Sequence, residues 1–197
     1  MKQTELFPPS LPDGLRYRPD FIPVEEEHTL LAAFERLPFE EAQYKQFTAR
    51  RRTVSYGSTY DFSTNQSRPA PPIPEFLLPL RERVAAWCGI PAEGFVHALV
   101  SEYRPGTPLG WHRDVPEFEV IVGISLLSGA RMRFRPYPWS PECRRAAFSL
   151  ELEPRSAYVI RDAARWRWQH SVPAVKQLRY SITLRTRREG TDEHVPR

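Results

Sequence analysis

His112 and Asp114 are two residues apart, and on a strand side chains at that spacing point the same way, so imidazole and carboxylate could reach one ion. With His170, from the tract Trp168-Gln169-His170-Ser171, they would make a 2-His-1-carboxylate set. That facial set suits Fe(II) and leaves coordination positions open for other ligands. Each piece also has an ordinary reading. An H-x-D triplet arises often by chance, Asp114 could cap the turn before Pro116, and His170 alone could be a satisfied core or surface histidine. The stretch 178–185 adds weight, because period two puts Arg179, Ser181, Thr183 and Arg185 on one face and Tyr180, Ile182 and Leu184 on the other. Arg179 and Arg185 would lie about 20 Å apart at roughly 3.3 Å per residue. On an inner face two arginines need anions, which a dicarboxylate and a substrate group or neighbouring acid would provide. On a solvent-facing strand they would be surface charges.

These residues need a scaffold. Leu30, Leu31, Phe34 and Leu37 recur at helical spacing and predict a helix over 24–37. A second helix is predicted over 75–88, with Phe76, Leu80, Val84 and Trp87 inward and Gly89 ending it. Pro79 marks either its start or a bend. A polar, basic stretch over 45–66 holds Arg50-Arg51-Arg52 and Tyr56-Gly57-Ser58-Thr59-Tyr60, and the Pro-rich piece 68–74 reads as a linker within the domain. From Phe95 onward the pattern changes to short strands, predicted near 95–103, 119–127, 131–135, 147–152, 157–161 and 178–186. In the third of these, Arg131, Arg133 and Arg135 alternate with Met132 and Phe134. Turns at Pro105-Gly106 and Ser128-Gly129 punctuate the run, with no crossover helices and no internal repeat. The fold class expected is mainly β with flanking helices (α+β), in a sandwich or jelly roll.

A length of 197 residues suits one domain with a real core, and 41% hydrophobic with 12% aromatic residues is a folding composition. The 21 prolines are about twice the usual share and favour turns and strand ends over long helices. No apolar run nears the roughly 18 residues of a membrane span. Residues 1–12 lack the charged-then-apolar pattern of a signal peptide, and Cys88 and Cys143 make no disulfide framework. A soluble, cytoplasmic monomer is expected. The formal charge is +4, and lysine occurs only at Lys2, Lys45 and Lys176 among 28 basic residues. Arginine suits bidentate contact with phosphates, but genomic base composition would give the same excess, so a nucleic-acid partner is permitted and not required.

Taken together, four pieces resemble the AlkB family of Fe(II)/2-oxoglutarate dioxygenases. They are Ser101-Glu102-Tyr103-Arg104-Pro105-Gly106 leading into Trp111-His112-Arg113-Asp114; Arg165-Trp166-Arg167-Trp168-Gln169-His170; Arg179 through Arg185; and Arg51-Arg52-Thr53-Val54-Ser55-Tyr56-Gly57. The likeness spans about residues 50–187 and includes order and spacing. It implies a double-stranded β-helix with an N-terminal nucleotide-recognition lid, the lid near 45–66 and the core near 95–187 of a single domain over 1–197. It implies that His112, Asp114 and His170 bind Fe(II), that Arg179 pairs with the distal carboxylate of 2-oxoglutarate, and that Tyr103 hydrogen-bonds the same cosubstrate. Arg185 would lie near the metal, helping to hold cosubstrate or order substrate. Ser101 and Ser181 stand where the family usually has asparagines, so cosubstrate contacts there would be shorter-armed or pass through water. O₂ is the remaining reactant.

The resemblance implies oxidative demethylation of N-alkylated bases in DNA or RNA, with formaldehyde, succinate and CO₂ as products. The partner would be a single-stranded or flipped-out alkylated base. Arg51, Arg52, Tyr56 and Tyr60 are candidates to stack that base and pair with its phosphates; otherwise they belong to a surface hairpin packed on the core. The Tyr56-Gly57…Tyr60-Asp61-Phe62 stretch is equally similar to tRNA-hydroxylating relatives, so hydroxylation of a tRNA nucleoside or a protein side chain is the alternative. A non-enzymatic binding module would have no need of His112, Asp114, His170 and Arg179 together. Trp111, Trp139, Trp166 and Trp168 are either pocket-lining or core residues, and His97, lacking a partner in these motifs, is expected to be structural.

Overall fold

A computed structural model describes residues 11–44, 47–61 and 66–188. In chain order the strands are β1 (Leu15–Arg18), β2 (Glu40–Tyr44), β3 (Phe47–Tyr56), β4 (Ser58–Asp61), β5 (Gln66–Pro69), β6 (Phe95–Tyr103), β7 (Leu109–His112), β8 (Phe118–Leu126), β9 (Ala130–Pro136), β10 (Phe148–Leu152), β11 (Ala157–Ile160), β12 (Trp168–Val172) and β13 (Arg179–Arg187). The helices are α1 (Val24–Phe34), α2 (Leu78–Cys88) and α3 (Asp162–Trp166). A seven-stranded sheet runs β1-β11-β8-β13-β6-β3-β2, a four-stranded sheet runs β10-β9-β12-β7, and β4 and β5 form a two-stranded sheet.

Alternation along the central strands decides what each face of the large sheet meets. Val122, Ile124, Ile182 and Leu184 join one core cluster with Leu30 and Phe34 of α1 and Leu80 and Val84 of α2. Each such side chain contributes roughly 1.5–3 kcal/mol on full burial. The opposite face supplies Tyr103, Ile121 and Ile160 to a second cluster with Met132, Phe134, Leu152 and Val172 of the small sheet. The result is a β-sandwich with helices on one outer face, the jelly-roll arrangement that the short strands predict.

Local chemistry sets the helix ends. Glu25, Glu26 and Glu27 occupy the first turn of α1, where carboxylates favour the helix dipole. The helix stops at Phe34, three residues short of the predicted limit, and Leu37 packs on the core from the turn beyond. A 3-10 turn at Glu75–Leu77 precedes α2, so Pro79 falls in the first helical turn, where its missing N–H leaves no bond unmade. Gly89 ends α2 at φ 68°, as a left-handed cap requires.

Strand β6 spans the predicted residues, and the other predicted strands shift by a residue or so. The expected lid is divided differently. Strand β3 is an integral part of the large sheet, in register with β6 from Arg52↔Glu102 to Tyr56↔Ala98, while β4 and β5 form their own ribbon. Residues 45, 46 and 62–65 lie outside the described residues. No described helix is long and apolar enough to cross a membrane.

Candidate metal centre

Three side chains converge between the sheets. One ligand atom from each of His112, Asp114 and His170 lies within 4.8 Å of the others. His170 sits on β12 directly opposite His112 on β7, and their rings are 4.2 Å apart between centroids. Asp114 arrives by another route than expected. Strand β7 ends at His112, so Asp114 lies in the following loop and the two-apart strand argument does not place it. Buried Arg165 holds that loop by donating to the carbonyls of Asp114, Val115 and Phe118 at 3.1, 2.7 and 3.0 Å. Arg185 then aims the carboxylate, donating to its Oδ1 from Nε at 3.0 Å and from Nη2 at 2.7 Å.

Protonation states follow from these contacts. Burial pushes the Asp114 carboxyl up, but Arg185, then His170 and His112, outweigh it and hold it well below the usual carboxylate range. His112 Nδ1 lies 2.9 Å from the Gly110 carbonyl, which can only accept, so Nδ1 carries the proton and Nε2 presents a lone pair. Burial lowers the pKa of His112 and, with the added repulsion of His112, pushes His170 down to about 3. Two neutral imidazoles and one ionised carboxylate are the donor set that Fe(II) takes facially, and the residues fit the metal.

His97, expected to be structural and to lack a partner in the sequence motifs, meets residues from two of them. Its Nδ1 is 3.1 Å from Arg185 Nη1 and its Nε2 is 3.0 Å from Ser55 Oγ. Arginine only donates, so His97 accepts at Nδ1 and donates from Nε2 to the serine. Burial and then Arg185 hold its pKa well below the ordinary value, as that neutral role requires. The chain Ser55–His97–Arg185–Asp114 therefore fixes the ligand carboxylate from behind. Arg185 acts through Asp114 as a positioning residue.

Depressed histidine pKa values fix a pH dependence. For His97, His112 and His170 the folded value lies below the ordinary 6.5, so below that pH the unfolded chain takes up the extra protons first. Stability of the metal-free protein, fully present above about 6.5, is expected to fall as pH drops towards 3, by roughly 1.4 kcal/mol per pH unit from His170 alone. Urea midpoints measured between neutral pH and about pH 5 check this; a constant midpoint would show that the histidines are not buried neutral.

A cavity beside the metal ligands is lined by Arg51, Tyr103, Tyr158, Arg179, Ser181 and Arg185 among others. Arg179 is 2% exposed, lies 5.0 Å from the Tyr103 ring centroid and donates from Nε to Ser125 Oγ at 3.2 Å. Among the described residues no carboxylate pairs with it. A buried guanidinium without an anion suits a carboxylate ligand. Ser181 hydrogen-bonds Tyr103, and burial raises that phenol's pKa while Arg51 and Arg179 outweigh it and bring it down. Ser101 is the register partner of Ser181 and is buried, but it does not line the cavity.

The substrate residues expected from sequence separate, because neighbours on a strand face opposite ways. Arg51 enters the cavity, with Nη1 donating to Tyr103 Oη at 3.5 Å and a buried Nε that has no partner among the described residues. Arg52 faces the helices instead, paired with Glu102 at 3.0 Å and donating to the Phe39 carbonyl at 2.9 Å. Tyr56 is on that same outer face, 8% exposed within the helix-side core, and is not available to stack a base. The side chain of Tyr60 lies outside the described residues.

Tyr158 is a cavity residue that the sequence motifs did not single out. Its ring crosses Gly123 of β8, where an added Cβ would sit 2.2 Å from Tyr158 Cζ. A lone glycine inside an apolar strand was the available signal. Gly123→Ala is expected to push the ring into the cavity, lowering stability by roughly 1–3 kcal/mol and impairing 2-oxoglutarate turnover. Urea denaturation and a succinate assay together check this, and wild-type values in both would refute the packing.

Comparison with known proteins agrees with this geometry. The family model described as "2OG-Fe(II) oxygenase superfamily" matches residues 14–188, and the chain belongs to that superfamily. The superfamily's name fits the donor set of His112, Asp114 and His170, and AlkB homologues are among the proteins the chain is similar to. The alkylated DNA repair protein ALKBH8 homolog of Arabidopsis thaliana is 30% identical over 81% of this chain and 51% of its own length. The probable RNA/DNA demethylase ALKBH6 of Danio rerio is 27% identical over 77% of this chain and 65% of its own. An uncharacterized protein, L905, of Acanthamoeba polyphaga mimivirus is 36% identical over 44% of this chain and 46% of its own. The chain thus spans about half to two thirds of these relatives. The solved structure of OsALKBH1 superposes with a TM-score of 0.69 at 15% identity, covering 90% of this chain and 98% of that one, which shows the shared fold.

Proposed function

We propose that this chain oxidatively demethylates N-alkylated bases of single-stranded or flipped-out DNA or RNA. The observation that carries the reading is Arg51. Besides Arg179 and the paired Arg185, the cavity holds the Arg51 guanidinium, whose buried Nε has no partner among the described residues, and a polyanion or an electron-rich base edge would satisfy it. Relatives named for DNA repair and RNA/DNA demethylation support the same substrate class.

His112, His170 and Asp114 would hold the metal, Arg179 the distal carboxylate of 2-oxoglutarate, and Tyr103 an oxygen of the same molecule. Bound together, iron and 2-oxoglutarate supply oxidising power: one atom of O₂ enters succinate as CO₂ leaves, and the other enters a C–H bond of the substrate. On an N-methyl group the product carries N–CH₂–OH, and loss of formaldehyde returns the proton to nitrogen. The protein's part is to orient. Arg185 and His97 keep Asp114 ionised and aimed, and Met132 and Val172 on the cavity wall exclude water from the reacting side.

Mass spectrometry of methylated single-stranded oligonucleotides after incubation with Fe(II), 2-oxoglutarate and air tests the reading. Loss of the methyl group with formaldehyde is expected. Gain of one oxygen on a tRNA nucleoside or protein, with methylated bases untouched, would refute it in favour of hydroxylation.

A further inference from the structure

The outer face of the small sheet carries an arginine–tryptophan layer that the metal centre does not use. Met132 and Phe134 of β9 point into the sandwich, so Arg131, Arg133 and Arg135 point away from it. Trp111 of β7 is on the same outer side, because His112, the next residue, faces the metal site. The Arg135 guanidinium lies 4.4 Å from the Trp111 ring centroid and 5.2 Å from that of Trp139, and Arg133 lies 5.1 Å from Trp111. Nearby, Arg113 stacks on Tyr137 at 3.7 Å. Their backbone-side nitrogens are used internally, Arg133 Nε to Ser171 Oγ at 3.1 Å and Arg135 Nε to Gln169 Oε1 at 2.9 Å. Those bonds fix the guanidinium planes of two half-buried side chains.

Charge argues for the occupant. The small sheet and the 3-10 turn at Pro141–Ala146 carry Arg131, Arg133, Arg135, Arg144 and Arg145 against only Glu142 and Glu151. Glu151 is already paired with Arg131 at 2.6 Å. Among the described residues no carboxylate pairs with Arg113, Arg133 or Arg135. Helices α1 and α2 cover the other sheet, and Trp139 and Tyr137 remain 38% and 42% exposed. Exposed aromatic rings interleaved with unneutralised, pre-oriented guanidinium groups are how proteins hold single-stranded nucleic acid: phosphates on the cations, bases on the rings.

We infer that the outer face of the small sheet, centred on Arg133, Arg135 and Trp139, is a docking platform for a single-stranded polynucleotide, separate from the cavity that takes the target base. It rests on the proposed nucleic-acid reading for the class of polymer, and adds where the flanking strand is held. A platform on the back of β7 and β9 gripping backbone would give affinity without sequence preference.

Fluorescence anisotropy with unmodified, labelled 16-mers of DNA and of RNA, using protein free of iron and 2-oxoglutarate, tests the platform apart from the chemistry. The wild type is expected to bind with a steep salt dependence. Arg133→Gln/Arg135→Gln should weaken binding at least tenfold and lower the log–log salt slope by about 1.4, two phosphate contacts at roughly 0.7 each on a single strand. Trp139→Ala should weaken binding with the slope unchanged. Both variants should remain folded and demethylate a methylated trinucleotide at the wild-type rate. Preference for the RNA or the DNA 16-mer identifies the polymer. Wild-type affinity and slope in the double variant, with a methylated base still demethylated, would overturn the platform alone. Loss of demethylation with binding and its arginine dependence intact would overturn the catalytic reading alone.

Discussion

His112→Ala protein is expected to fold as the wild type does and to form no succinate. Among the described residues the side chain's one polar contact outside the metal set is the bond it donates to the Gly110 carbonyl, and the ring is neutral, so its removal leaves no buried charge behind. It does remove one of three ligands, and with it the geometry for iron. Asp114→Ala should also abolish turnover but carry a penalty that His112→Ala does not. It strips the anion from Arg185, 9% exposed, and an uncompensated buried charge costs about 3–5 kcal/mol. Equilibrium dialysis of Fe(II), urea denaturation and succinate assay on both variants separate these effects. Full succinate formation by either, or equal stability of the two, would show the metal or the ion pair to be misassigned.

The second large effect is at Arg179. Arg179→Met should retain iron at wild-type affinity while its KM for 2-oxoglutarate rises by two orders of magnitude or more, about 3 kcal/mol for a buried, charge-assisted carboxylate contact. The side chain touches Tyr103 and Ser125 and none of the metal ligands, which is why the two affinities should part. Parallel loss of iron and 2-oxoglutarate would place Arg179 in the scaffold instead.

What could be read ahead of the structure follows the range of the interactions. Period two in 179–187 depends only on the strand itself, and it put Arg179, Ser181 and Arg185 on the inner face. The same rule, applied to 51–56, separates Arg51 from Arg52 and Tyr56, which aromatic and basic character alone would group. Asp114 joins His112 and His170 although the strand stops at His112, because Arg165 and Arg185, from α3 and β13, hold the loop and the carboxylate. Neither distance along the chain nor residue type announces such contacts. His97 is the plainest case, since its role depends on Ser55 from β3 and Arg185 from β13 meeting it on β6. Short strands such as β1 and β7 have too few residues to show a period, and their place is set by their partners β11 and β12.

The most direct test of the metal centre is to load the protein with Fe(II) anaerobically, add 2-oxoglutarate and then air, and follow succinate. Succinate that requires iron, stops on chelation and is absent from the His112→Ala protein is the expected result. Succinate that survives chelation, or that the His112→Ala protein forms at the wild-type rate, would contradict it.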